Sequence, residues 1–389
     1  MTQSVDVAVV GAGITGLAHA WSAARRGLTV ALFDRHPQAQ GASVRNFGIV
    51  LPIGQPAGDR RELAMQGRRW WKQLSESAGI WTNECGSLHL AYRRDELAVL
   101  EEFRDQSAEC DVRMLTPAEV FDRSAAANPE GLLGALWSSS EMCINPRAAI
   151  AKLPLWLNET FDVQLHFATP IVNVDYPALT SSEGRSWHAE RIVIAGGSDF
   201  ETLFPAAYEQ LAPTRCKLQM MQTAAQPDGW RMGPLVAGGL TLQHYQSFAS
   251  CPSLPALKNR IAEETPEINR YGIHVLASQN DAGEMLLGDS HEYDDDISIF
   301  DKSEIDDLIV RELRRLIRLP SFEITRRWHG IYANVPTEGN LTAEPQPGVR
   351  IAVAPGGSGM TLSFGLAEQL WNEWSGTLPT DKSGFIGQS

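Results

Sequence analysis

Val5-Asp6-Val7-Ala8-Val9-Val10-Gly11-Ala12-Gly13-Ile14-Thr15-Gly16 is the stretch that decides the fold of this chain. A mostly apolar strand runs straight into a glycine turn. Ile14, Leu17, Ala18, Trp21 and Ala24 then recur at helical spacing up to Gly27. A second apolar run over residues 28–33 ends on Asp34, with Arg35 beside it. Strand, glycine turn, helix, strand and acidic tip make a βαβ unit that carries the G-x-G-x-x-G dinucleotide fingerprint. Gly11 permits the tight turn, Gly13 lets the backbone approach a pyrophosphate, and Gly16 lets the helix close on the strand. Ile14 and Thr15 lie at the helix N-terminus, whose N–H groups and positive dipole end attract phosphate. Asp34 can accept from a ribose hydroxyl and would repel a 2′-phosphate. The unit alone leaves FAD and NAD open.

Working outward, the chain is long enough, at 389 residues, for two or three domains, and 43% hydrophobic against 21% charged residues is an ordinary globular balance. A net charge of −14 argues against nucleic acid or an anionic membrane surface as partner. Cys85, Cys110, Cys143, Cys216 and Cys251 stand apart in no zinc or redox spacing. They read as reduced thiols of a cytoplasmic protein, and no metal site is expected. The apolar start reads as a buried strand rather than a signal peptide, and no apolar run is long enough to span a bilayer.

Residues 41–58 form a loop rich in Gly, Pro and small side chains, followed by a helix over 59–78. A strand is expected at 87–92 and a charged helix at 95–107, and Thr116-Pro117-Ala118-Glu119 is a capping box. A helix begins at Asn145-Pro146, and buried strands follow, the last over 190–198 and ending in Ala195-Gly196-Gly197. From Cys216 the strands alternate (217–220, 273–278, 284–288), which predicts an antiparallel sheet with one face open to a ligand. Residues 301–318 form an amphipathic helix. A final strand over 348–354, a turn at 355–361 and a helix with Leu362, Leu366 and Leu370 return to the opening style. The expected fold class is α/β plus α+β. A Rossmann-like FAD-binding domain is built from discontinuous segments (1–85, 145–212 and 325–389), and an antiparallel-sheet substrate-binding domain (86–144 and 213–324) is inserted between them.

The choice of FAD rests on three strand-to-glycine junctions. A nicotinamide enzyme needs only the first, whereas Ala195, Gly196 and Gly197 and then Gly356, Gly357, Ser358, Gly359, Met360 and Thr361 add two more near one ligand. The last of these offers a helix N-terminus to an isoalloxazine ring.

With these motifs assembled, the chain resembles the D-amino-acid oxidase superfamily of flavoproteins, which includes glycine and sarcosine oxidases. The likeness rests on the fingerprint with Asp34, the loop Gly41-Ala42-Ser43 through Arg45-Asn46, the strand ending at Gly197, Trp328-His329-Gly330, and Gly356 to Thr361. The stretches 41–48, 216–220 and 288–293 are similar to a clade linked with phosphonate catabolism. That resemblance implies an aminoalkylphosphonate substrate such as 2-aminoethylphosphonate or its N-methyl form. Many amino-acid oxidases of the superfamily carry an arginine closely following Trp-x-Gly, where it pairs with the substrate carboxylate. Here Tyr332 stands at that place, which disfavours an α-amino acid. With no cysteine after Thr361, a late thioether link to the flavin is not expected.

The expected reaction is oxidative deamination of a small amine, with a hydride passing to flavin N5, imine hydrolysis to an aldehyde, and O2 or another acceptor taking the electrons. His329, Tyr332 and His274 are the expected catalytic residues. Ser43, Arg45, Asn46 and Gly48 join the glycine junctions around the cofactor. Arg45, Lys217, Gln219, His274, Gln279, His291 and Tyr332 are expected to converge on an anionic substrate. His244 and Tyr245 are read as a loop, lid or surface. A glycine, sarcosine or D-amino-acid oxidase, an NAD(P)H-dependent flavin monooxygenase and a non-catalytic flavin-binding protein remain the alternatives.

Overall fold

The computed structural model describes residues 3–107, 109–294, 297–335, 342–353 and 356–375. Two compact units share the chain. Met1–Val44, Arg147–Arg215 and Tyr332–Ser389 form the first, and Arg45–Pro146 and Cys216–Ile331 form the second.

At the centre of the first unit lies the strand Gln3–Val10, whose Val7, Ala8 and Val9 are fully buried. Burial on both faces is what a parallel strand covered by helices requires. It pairs in parallel with Val30–Phe33 on one side and Ser186–Ile194 on the other, in the registers Val9↔Leu32 and Val9↔Val193. Ser186–Ile194 in turn pairs in parallel with Val349–Ala352, Val193 facing Arg350. The apolar runs from the start, middle and end of the sequence therefore meet in one eight-stranded sheet. The expected final strand spans Val349–Ala352, and Ala354 and Pro355 of that reading lie outside the described residues.

Two helices pack together in this unit, Ile14–Ala24 and Gly359–Ser375. Thr15 meets Ser363 at 3.3 Å between hydroxyls, Trp21 meets Phe364 edge-on at 5.4 Å, and Ser22 donates to Glu368 at 2.6 Å. Both numberings rise together, so the helices are parallel and their N-termini share one end. Each follows the C-terminal end of a parallel strand, which is where open α/β sheets bind ligands.

The second unit holds a mixed nine-stranded sheet and a small three-stranded one. Leu276–Gln279 and Glu284–Gly288 form the expected hairpin, turning through Gly283 at φ +81. The amphipathic helix spans Ser303–Leu316 and buries Ile305, Leu308, Ile309, Leu313 and Leu316. Segment 45–85, grouped by sequence with the first unit, packs in the second. Ile49 pairs with Cys143 and Thr82 with Ile144 on the shared strand Met142–Ile144.

The open sheet face expected around residues 217–220 is not found. Along Thr214–Ala225, every residue from Cys216 to Thr223 is buried. Backbone and side chains of residues 298–306 cover the polar positions of this strand. Alternation of polar and apolar residues marked side-chain direction correctly but mistook internally paired polar groups for exposed ones.

Candidate functional site

In the first unit, the turn after Gln3–Val10 is tighter than any side chain would permit. Gly11 has φ +108 and donates to Phe33 O at 2.8 Å. A Cβ on Gly11 would lie 2.2 Å from Ala195 O, and one on Gly16 would lie 1.8 Å from Gly11 O. Gly13 caps the helix Ile14–Ala24 without any side-chain capping bond, and no acidic residue occupies the first turn. A Cβ on Gly13 would come to 3.0 Å from Ser43 Oγ, which itself accepts from the Ile14 N–H at 2.9 Å. Asp34 is fixed from two sides: Oδ2 accepts from the Ala12 N–H and Oδ1 from the His36 N–H, both at 2.9 Å. The cradle, a helix end with no acidic residue in its first turn and the pinned carboxylate fit a dinucleotide pyrophosphate and its ribose.

The other junctions sit at the same strand ends. Ala195 donates to Val10 O at 2.8 Å, and Gly197 adopts φ +66. Arg35 forms an ion pair with Asp199. Gly356 adopts φ +53 before the helix Gly359–Ser375, whose Thr361 and Leu362 N–H groups donate to Ser358 O. Tyr332 is buried, and its ring lies about 3.6 Å from where a Gly357 Cβ would stand. FAD fits these residues: the crowded Gly11 and Gly16 allow only backbone at the first junction, and two helix N-termini point from one end of the sheet.

In the second unit, the loop after Ser43 is tied to strand Ile324–Asn334. Arg45 Nη1 donates to His329 O at 3.2 Å, and Trp328 Nε1 donates to Arg45 O at 3.1 Å. Asn46 Oδ1 accepts from the Gly48 N–H at 2.7 Å. At Gly48, with φ +65, a Cβ would lie 2.0 Å from Ile144 O. His329 Nδ1 lies 2.9 Å from Asp301 Oδ1, and Lys217 Nζ lies 2.8 Å from the same oxygen. Burial pushes the Asp301 carboxyl up, but the hydrogen bond from Lys217 and the His329 and Lys217 charges outweigh it and hold the group below its usual range.

Three expected substrate ligands are otherwise engaged. The three N–H donors of Lys217 are matched by Ser298 O, Phe300 O and Asp301, and its side chain is 1% exposed. Gln219 donates to Lys302 O and Asp306 and accepts from the Lys302 N–H. Gln279 accepts from the Met232 N–H and donates to Trp230 O and Gly283 O. Each amide or ammonium stitches a loop to the sheet. Buried polar groups take internal partners, so none of the three is offered to an anion.

His274 and His291 do converge, and they bring a third histidine with them. His244, the last residue of the short helix Gly239–His244, stacks on His274 with ring centroids 3.9 Å apart. His291 lies 4.9 Å from His274 and 4.5 Å from His244. Asp289 stands beside them, its Oδ1 3.3 Å from His274 Nε2 and its Oδ2 3.9 Å from His291 Nε2. Burial holds all three imidazoles below the ordinary histidine value, His291 at about 4, and pushes the Asp289 carboxyl well up. Asp289, Asp301 and the part played by His244 escaped the sequence reading. Spacings of 30 and 17 residues match no ligand motif, and aspartates in loops carry no signal of their own. The one available hint was three of nine histidines falling in a single segment.

A family model described as FAD dependent oxidoreductase matches residues 6–372. Among curated proteins, the tRNA 5-methylaminomethyl-2-thiouridine biosynthesis bifunctional protein of Nitrosospira multiformis is 28% identical over 227 residues, 55% of this chain and 36% of that protein. The match thus spans about a third of that relative's length. Among solved structures, glycine oxidase from Bacillus cereus superposes with a TM-score of 0.75 at 18% identity over 96% of both chains. The FAD-bound L-alpha-glycerophosphate oxidase of Mycoplasma pneumoniae reaches 0.70 at 17% identity over 95% of both chains. No helix among the described residues is long and apolar enough to cross a membrane.

Proposed function

This chain belongs to the FAD dependent oxidoreductase family, and from that premise we propose that it oxidises a small amine, with an aminoalkylphosphonate as the favoured substrate. The observation that carries the reading is Tyr332, buried beside the third glycine junction, at the place where the resemblance to amino-acid oxidases implies a carboxylate-binding arginine. A planar guanidinium fork matches a carboxylate, and a phenol does not. Support for the amine comes from the relatives: the curated ones are named for a methylaminomethyl group, and a structural neighbour is a glycine oxidase.

FAD, when bound, supplies the two-electron acceptor. Gly11, Gly13 and Gly16 with the Ile14–Ala24 N-terminus would hold its pyrophosphate, Asp34 would take a ribose hydroxyl, and the turn over residues 356–359 would lie against the ring. Asp301 fixes the His329 ring through Nδ1, which leaves Nε2 to take the proton of an arriving ammonium. An amine reacts only when its nitrogen lone pair is available, so this deprotonation is the protein's own contribution. Arg45, with one N–H committed to His329 O, has further guanidinium N–H groups that would pair with a phosphonate. Loss of two electrons and two protons across the C–N bond gives an imine. Water adds to it, releasing an aldehyde and ammonia or a primary amine.

Anaerobic mixing of FAD-loaded protein with 2-aminoethylphosphonate, its N-methyl form, glycine, sarcosine and D-alanine tests this. The expected result is bleaching of the flavin band near about 450 nm, since the cofactor does the redox chemistry, with the phosphonates fastest. Clear preference for glycine or D-alanine overturns the substrate, and bleaching by NADPH alone overturns the reaction.

A further inference from the structure

We propose that His244, His274 and His291, with Asp289 beside them, bind one divalent transition-metal ion of the zinc type. The site lies wholly in the second unit and goes beyond the amine reading, with which it neither stands nor falls. One ligand nitrogen from each histidine lies within 4.8 Å of the others. His274, Asp289 and His291 are 3%, 4% and 8% exposed, and His244 is the half-buried member through which an ion can enter.

The polar atoms at this place are poorly satisfied. His274 Nδ1 and Asp289 Oδ1 are buried with no hydrogen-bond partner, although Oδ1 is 3.3 Å from His274 Nε2. Leaving such polar atoms unpartnered in a buried place is costly. The donor set selects the ligand. Three imidazole nitrogens and a carboxyl group converge with no ammonium or guanidinium in the cluster among the described residues, which suits a metal cation and offers an anion nothing to pair with. Imidazole with carboxylate is the donor set of zinc and its neighbours, not of calcium or magnesium.

Second-sphere geometry agrees. His291 Nδ1 is 3.1 Å from Gly272 O, so Nδ1–H donates there and Nε2 is left as the ligand atom. The His291 N–H donates to Tyr271 O at 2.9 Å, and the His274 C=O accepts from the Asp289 N–H at 2.9 Å, so three of the four residues ride on one fixed backbone frame. His244, at a short helix's end, is the adjustable ligand. The His274 and His291 rings are stacked, with centroids 4.9 Å apart and planes within 17° of each other, so a single ion cannot lie in both ring planes at once. One ring therefore turns about χ2 on binding, and the nitrogens close to roughly 3.3 Å apart, as zinc–nitrogen bonds of about 2.0–2.1 Å require.

The test uses the full chain loaded with FAD, stripped of metal by a chelator and titrated with Zn2+ and, separately, Co2+. One equivalent is expected to bind, to raise the melting temperature with concentration, and to give a tetrahedral cobalt visible spectrum. His244→Ala, which keeps its flavin spectrum, is expected to weaken binding at least tenfold. Zinc-edge X-ray absorption on wild-type protein, which needs no variant, is expected to show three imidazoles. Absence of stoichiometric binding, equal binding by His244→Ala, or fewer than two imidazoles at the edge overturns the site. Stabilisation by inorganic phosphate in place of Zn2+ also overturns it.

Discussion

Asp301 holds His329 through Nδ1 at 2.9 Å, across 28 positions of sequence. Asp301→Asn keeps an oxygen that can accept from His329 Nδ1–H but removes the carboxylate charge beside the ring. If His329 takes the substrate's proton, the variant loses kcat/KM by about 10- to 100-fold, at or below the low end of what a positioned base supplies. Its pH profile then rises at higher pH than wild type, because the free amine must be supplied by solution. A merely structural role leaves that profile in place, and rate against pH with a saturating phosphonate amine distinguishes the two.

Gly16→Ala places a methyl 1.8 Å from Gly11 O, a backbone atom with nowhere to go. The helix must lift off the strand, and the expected product is colourless or aggregated protein. Gly13→Ala meets only the Ser43 hydroxyl, at 3.0 Å. It should fold and show weakened FAD affinity, measured by flavin fluorescence on dilution.

Tyr332→Arg restores a guanidinium where a carboxylate would be read. The ratio of kcat/KM for glycine over 2-aminoethylphosphonate is expected to rise about tenfold or more, or about 1.4 kcal/mol in transition-state preference. An unchanged ratio removes Tyr332 from substrate selection.

Glu368 accepts from Arg25 at 2.6 Å, from Ser22 at 2.6 Å and from Arg26 at 3.1 Å, with its side chain 4% exposed. Burial raises its carboxyl, but the bonds from Arg26, Arg25 and Ser22 outweigh that and leave it below the usual 4.5. A depressed folded-state value means the stabilisation is fully present above pH 4.5 and declines as pH falls below it. Thermal melts carried from pH 6 down to about pH 3 should show this decline, and Glu368→Gln should flatten it. Glu368→Ala should cost about 3 kcal/mol at neutral pH, as for a broken buried pair.

The Rossmann half was legible because glycine chemistry is local. Gly11 and Gly16 announce close backbone approach within six residues, and Asp34 stands where the strand must end. Residues 186–194 and 349–352 were legible as buried apolar runs, and both join the same sheet as Gln3–Val10. Polar residues of the second unit were not. Lys217 and Gln219 carry the signature of ligand-binding side chains, yet their partners are carbonyls of residues 298–302, which periodicity does not point to. Asp289 and His244 join a cluster only through tertiary approach, and loop residues advertise no such meeting.

Strand Gln3–Val10 gains one of its two sheet partners only from a distant part of the chain. Its neighbour Ser186–Ile194 is synthesised some 180 residues later, roughly 10–40 s at ordinary elongation rates. Meanwhile one hydrogen-bonding edge of a mostly apolar strand waits, and the loop that must close on it is long. Co-expression with a general chaperone, or slower growth in the cold, is therefore the practical lever on yield, ahead of any substitution on the finished surface.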